Sequence, residues 1–147
     1  MPYYSTNKSK KMAKDLWINL PVKDVNKSKA FFSKLGFSFN QRYSSSNSAC
    51  LLVGEKQVPV MLFEEREFKG FTGKEISNTS QATEVLLSVG ADSKEEVDEL
   101  ANKAIEAGGK SNHKPSEVAG WMYGCVFSDI DGHNWNVLYM DMSKMPE

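Results

Sequence analysis

The sequence predicts an α+β domain made of two β-α-β-β-β modules that pair and enclose a cleft. Three observations predict it. The chain has 147 residues, 40% hydrophobic and 25% charged, which is the size and composition of one soluble domain able to bury a core. Strand-like alternation and helix-like spacing follow each other in the same order in both halves. A sheet from either half alone would leave one face uncovered, so the halves must cover each other.

From Leu16 to Val22 the pattern alternates, with Ile18, Leu20 and Val22 on one side and Trp17 and Asn19 on the other. Asp24 reads as a helix start. Phe31, Phe32 and Leu35 fall within little more than one turn, and Gly36 stands where a left-handed helix end is usual, giving a helix over 25–35. Strand-like runs follow at Phe37–Tyr43, Ala49–Val53 and Val58–Phe63, separated by the Ser/Asn cluster 44–48 and by Gly54-Glu55-Lys56. After a polar stretch the order returns. Residues 83–89 alternate, with Val85, Leu87 and Val89 against Glu84, Leu86 and Ser88. Ser93 and Glu96 form a capping box, because hydroxyl and carboxylate can satisfy the free N–H groups at a helix start. Val97, Leu100, Ala101, Ala104 and Ile105 then follow helical spacing until Gly108-Gly109 ends it. Strand-like runs close the chain at 110–113, Met122–Ser128 and Asn134–Met140, the last opening from a tight Asp131-Gly132 turn. The layout is an N-terminal arm over 1–14, module one over 15–65, a connecting loop over 66–82, module two over 83–141 and a tail over 142–147.

Eighteen Lys plus Arg against nineteen Asp plus Glu leave a formal charge of −1, so no basic field exists to attract nucleic acid. No run reaches the ~18 apolar residues of a membrane span, and residues 1–14 lack the apolar centre of a secretory signal. The expected address is the cytoplasm, with no membrane partner. Lys8, Lys10, Lys11 and Lys14 make the N-terminus a solvated arm. Cys50 and Cys125 stand apart in β-like runs, as buried reduced thiols do. Gly70 and Gly73-Lys74 miss the spacing of a phosphate loop, and there is no G-x-S-x-G motif.

Two segments carry a resemblance: LPVKDVNKSKAFFSKLGF at 20–37 and DIDGHNWNVLYMD at 129–141. Both resemble the vicinal oxygen chelate superfamily, the group of glyoxalases, bleomycin resistance proteins and extradiol dioxygenases. The resemblance spans residues 15–141. It implies two curved sheets forming a half-open barrel, commonly in a homodimer. In enzymes of that group a divalent metal in the cleft is held by His, Gln or Glu side chains from the first and last strand of each module, and it polarises two neighbouring substrate oxygens.

Carried onto this sequence, the four ligand positions fall on Trp17, Met61, Glu84 and Asn136. A hard divalent ion needs several oxygen or imidazole donors aimed at one spot, with open positions for substrate. Indole offers an N–H and no lone pair, and a thioether prefers soft metals. The expectation is therefore a cleft with no catalytic metal and no other cofactor; a divalent metal belongs to the alternative. Asn19 and Glu65 share the strand parity of Trp17 and Met61, but a two-residue step moves a ligand by about 6.6 Å.

Trp17, Asn19, Met61, Phe63, Glu84, Leu86, Asn136 and Leu138 share the predicted cleft face, with Ser88 beside them. Such a lining suits a small, partly apolar molecule fixed by a few hydrogen bonds. Glu84 is the one candidate for catalysis, since a carboxylate among apolar strand residues must reach water or find a partner. His133 reads as a turn residue with a lesser claim to acid-base work in the cleft, and His113 as a loop residue. Phe68 and Phe71, apolar within a polar connection, fit either a lid or a plain linker. The function expected is small-molecule binding without a metal. The alternative is a metal-dependent glyoxalase- or dioxygenase-type enzyme, a lyase or isomerase with a diverged site, or one in which Glu84 acts as a base without metal.

Overall fold

The computed structural model describes residues 12–147, so most of the predicted N-terminal arm, with Lys8, Lys10 and Lys11, lies outside the described residues. Module one runs through β1 (Ile18–Val22), α1 (Val25–Lys34), β2 (Ser38–Asn40), β3 (Ser48–Val53) and β4 (Val58–Glu64). A further helix follows at once, α2 (Glu65–Thr72). Module two repeats the order with β5 (Leu86–Gly90), α3 (Lys94–Glu106), β6 (Lys110–Val118), β7 (Met122–Ser128) and β8 (Asn134–Met140). Each module forms one four-stranded mixed sheet, in the orders β1-β4-β3-β2 and β5-β8-β7-β6. Only the β1–β4 and β5–β8 pairs are parallel, and neither sheet closes into a barrel.

The two module helices begin and end by the same chemistry. The Asp24 carboxylate accepts the Asn26 and Lys27 N–H groups at 2.9 and 3.2 Å. The Ser93 hydroxyl accepts the Glu96 N–H at 3.1 Å, and the Glu96 carboxylate reaches back to the Asp92 N–H at 2.6 Å, one residue beyond the reciprocal partner of a standard box. At the C-termini, Gly36 and Gly108 adopt φ of 93° and 106°. The next N–H in each case bonds five residues back, Phe37 to Phe32 and Gly109 to Ala104, the paired pattern of a Schellman end.

Five elements differ in their bounds from the sequence expectation. The connection at 66–82 begins inside α2, an amphipathic helix whose first residue has no side-chain cap and which carries Gly70 in its interior, so local signals for it are weak. β2 stops at Asn40, whose side chain accepts the Arg42 N–H at 3.0 Å and starts a 3-10 turn. β1 and β5 begin at Ile18 and Leu86, which leaves Trp17 and Glu84 just ahead of their strands. β6 runs on to Val118 as an edge strand, through register shifts that accommodate Pro115. Its polar sequence KSNHKPSEV suits an exposed edge better than a core strand.

One core joins both modules. Leu20, Val22, Leu51 and Leu62 from the first sheet and Phe127, Trp135 and Val137 from the second are buried with Phe31 and Phe32 of α1 and Val97 and Ala104 of α3. Phe32 meets Trp135 edge-on at 5.4 Å, and Phe31 lies 6.4 Å from Phe127, so α1 packs across the boundary onto the sheet of module two. Burial on this scale is the main stabilising term, roughly 1.5–3 kcal/mol for each large apolar side chain. Cys50 and Cys125 are both buried free thiols. Among the described residues, no helix is long and apolar enough to cross a membrane.

Candidate functional site

The turn between β7 and β8, Asp129 to His133, fastens the two modules together. Within it, Gly132 donates to the Asp129 carbonyl at 3.0 Å. The buried Asp129 carboxylate accepts three N–H groups: the backbones of Asp131 and His133 at 2.9 and 3.1 Å, and the Trp135 indole at 3.0 Å. Burial pushes its carboxyl pKa up, against the opposing pull of the His133 charge and the Trp135 N–H. Asp131 then crosses to module one, accepting from the Lys23 N–H at 2.8 Å and the Ser28 hydroxyl at 3.1 Å. The His133 Nε2 meets the Pro21 carbonyl at 2.6 Å. His133 is thereby a turn residue with its ring committed to the backbone of β1. The connecting segment is tied in as well, by the Thr79 hydroxyl donating to the Asp131 carbonyl at 2.6 Å.

These ties leave a cavity of about 380 Å³ where β1, the residues ahead of β5, the Gly132–Asn134 stretch and the connecting segment meet. Its apolar surface comes from Ile18, Leu20 and Pro21 of β1, Phe68 of α2, Ile76 of the connection and Val85 just ahead of β5. Asn19, Lys74, Glu84, His133 and Asn134 supply the polar edge. The volume lies at the lower end of the ~300–1,000 Å³ usual for small-molecule pockets, and the mix of apolar wall with a few polar groups is their usual chemistry.

Of the eight predicted site residues, Asn19 and Glu84 line this cavity. Met61 is the direct partner of Asn19 across the β1–β4 pair. Phe63 lies further along the same face, where Phe71 of α2 packs edge-on against it at 5.0 Å. Leu86, Asn136 and Leu138 sit on the uncovered face of the second sheet, with the Asn136 carboxamide donating to the Ser88 hydroxyl at 3.1 Å. Trp17, 55% exposed, precedes β1. His113 is exposed on β6. Phe68, Lys74, Ile76 and Thr79 were not singled out for the cavity by sequence; the apolar Phe68 within a polar run was the available signal.

The four metal-ligand positions do not make a divalent-cation site. Their donors are an indole, a thioether, one carboxylate and one carboxamide. The strand register also separates them: the neighbour of Met61 on β1 is Asn19, and the neighbour of Asn136 on β5 is Ser88. Trp17 and Glu84 lie two and four residues from those neighbours, about 7 and 13 Å along an extended chain, against metal–oxygen bonds of about 2.0–2.6 Å. Glu65 opens α2 and so leaves the strand face it was expected to share. Among the described residues, no three His, Cys, Asp or Glu side chains gather into a potential metal site.

Residues 14–54 match the family model for the N-terminal part of bleomycin resistance protein-like proteins. A hypothetical protein from S. aureus is 36% identical, with 88% of this chain and 95% of that chain covered at a TM-score of 0.79. A glyoxalase/bleomycin resistance protein/dioxygenase family enzyme from Burkholderia phytofirmans PsJN shares the fold at 21% identity, covering 84% and 96% of the two chains at a TM-score of 0.72. So does a genomically encoded fosfomycin resistance protein from Listeria monocytogenes, crystallised with Mn(II) and sulfate, at 22% identity, 90% and 94% coverage and a TM-score of 0.64. No curated protein matches the sequence.

Proposed function

We propose that this chain of the vicinal oxygen chelate superfamily binds a small, partly apolar molecule in the seam cavity without a catalytic metal. The observation that carries this reading is the cavity itself: apolar walls from β1, α2 and the connection, with Asn19 and Glu84 at its edge. Asn19 and Glu84 orient the ligand, and Ile18, Leu20 and Phe68 exclude water from its apolar part. The chemistry of Trp17, Met61, Glu84 and Asn136 supports the absence of a chelating centre. Protein purified without chelator and titrated with manganese, nickel and zinc should give no stoichiometric heat; tight binding of one ion per chain would overturn the metal-free part of the reading.

A second reading is enzymatic, and Glu84 favours it: its carboxylate lines the cavity and makes no hydrogen bond or ion pair with the described residues. There it would serve as a general base for a lyase, isomerase or dioxygenase-type reaction. Glu84→Gln separates the two. A binder changes only its affinity, whereas an enzyme using this base loses turnover by orders of magnitude, with methylglyoxal plus glutathione as the first substrate pair to assay. The proposal includes a homodimer in the cytoplasm. Leu86, Val118 and Met140, all at least 40% exposed on the second sheet, support the dimer. Sedimentation at a single-chain mass of 16.5 kDa would count against it.

A further inference from the structure

The first strands of the two modules, β1 and β5, each pair on one side only, with β4 and with β8. Successive residues of a strand turn their N–H and C=O groups to opposite sides, so each strand has an outer edge of its own backbone. Pro21 and Gly90 are counterparts on these edges, each three residues ahead of the cap of its module helix, Asp24 or Ser93. On β1 the chain fills the edge itself. The His133 ring donates to the Pro21 carbonyl and the Lys23 N–H donates to Asp131, while proline has no N–H to leave over.

The edge of β5 is open. The Ala91 N–H donates to the Leu138 carbonyl of β8 at 2.8 Å, so by alternation Ser88 and Gly90 point their N–H and C=O groups away from β8. Among the described residues, these groups have no hydrogen-bond partner. The Gly54–Gln57 turn, the counterpart of the turn that covers β1, makes no hydrogen bond to them. The free edge instead walls a groove of about 860 Å³ whose other wall is the β3–β4 hairpin. Leu87 and Val89 on one side and Leu52 and Val58 on the other make it largely apolar, and a Cβ at Gly90 would meet no atom within 4 Å. At the rim the carboxylates of Glu55, Asp92 and Glu96 outnumber the Lys56 ammonium.

Unpaired backbone groups and apolar walls make two demands that an added peptide strand meets together. We propose that the β5 edge docks an extended peptide segment of a partner protein. Its backbone pairs with Ser88 and Gly90, its alternate apolar side chains enter the groove, and a flanking Lys or Arg faces the carboxylate rim. Both walls belong to this chain, so a strand added to β5 has the hairpin on its far side, where the sheet of a second copy would have to follow.

Decapeptides selected from a random display library on the immobilised full chain, then labelled and measured by fluorescence anisotropy, test the site. The enriched sequences should carry apolar residues at alternate positions beside a Lys or Arg. They should bind wild type at least about tenfold more tightly than Gly90→Pro, one decade in Kd. That substitution removes an outward N–H and no bond to β8, and it copies the Pro21 that β1 already accepts, so the fold should persist, as a thermal melt would check. Val58→Arg, at a position 43% exposed on the facing wall, should weaken the same peptides and decides the matter if Gly90→Pro does not fold. No enrichment over the bare support, enriched sequences without the alternation, or a loss smaller than tenfold overturns the docking site. A wild-type dimer that Gly90→Pro converts to monomer in sedimentation would put a second copy on the edge and overturn the peptide.

Discussion

The β3–β4 and β7–β8 turns occupy the same place in the two modules and do unlike work. The first, Gly54 to Gln57, closes on itself through a Gln57 N–H to Gly54 carbonyl bond at 3.1 Å, and its residues are exposed. The second buries Asp129, sends Asp131 and His133 across to module one, holds Thr79 of the connection, and supplies Gly132 and His133 to the cavity. Repeating a topology therefore does not repeat a function. In this chain, one turn joins the halves and shapes the site, while its counterpart only reverses the chain.

The sharpest way to break this contrast is to remove the acceptor at its centre. Asp129→Ala leaves the Trp135 indole and two backbone N–H groups without a partner in a buried place, so it should cost roughly 3–5 kcal/mol of unfolding free energy in urea. Glu55→Ala in the other turn should stay within about 0.5 kcal/mol. Equal effects would remove the distinction between the turns. The charge on Asp129 has a pH signature as well. Its folded-state pKa is raised above the ordinary 3.8, so the folded protein holds that proton more tightly than the unfolded chain does. Over the window between 3.8 and the raised value, stability should fall as pH rises, and wild type should gain on Asp129→Asn as pH is lowered.

Next in size is Gly132. Its φ is 83°, and a Cβ there would lie 2.3 Å from the Thr79 hydroxyl. Gly132→Ala should cost about 1–3 kcal/mol, and adding Thr79→Gly should recover the steric share but not the share due to the left-handed backbone. Full recovery would mean that the connecting segment alone sets the cost.

Much of the fold was legible because its signals are local. Alternation, the Asp24 and Ser93 caps and the Gly36 and Gly108 ends are each written within a few residues, and they fixed both modules and their order. α2 escaped because its stability comes from packing: it has no side-chain cap, and Phe71 rests on Phe63, a contact invisible until the sheet is built. The candidate site was legible in part. Strand parity put Asn19 and Met61 on one face, as the register has them. It could not show that β5 starts after Glu84, or that the connection bends round to place Lys74 and Ile76 opposite β1. Those positions follow from Asp131, His133 and Thr79, whose partners lie as many as 112 residues away in sequence.

Smaller effects sharpen the same picture of which groups are sheltered. Burial pushes the Cys125 thiol up to about 11 and raises Cys50 as well, so both should resist alkylation at pH 8 in the native protein and react on unfolding. Rapid labelling of either in the folded state would contradict the packing of its sheet. On the surface of module two, the Tyr123 hydroxyl donates to the Asp98 carboxylate at 2.7 Å. That bond and the adjoining negative charge hold the phenol neutral, with its pKa pushed up to about 12. Asp98→Asn should lower the phenolate midpoint in an ultraviolet pH titration, and an unchanged midpoint would refute the link.

The binding account is tested most directly by amide chemical-shift mapping of the labelled protein as a bound small molecule is titrated in. The account predicts shifts concentrated at Asn19, Lys74, Ile76, Glu84 and His133, around the seam. Shifts confined to Leu86, Asn136 and Leu138 on the uncovered sheet would contradict it.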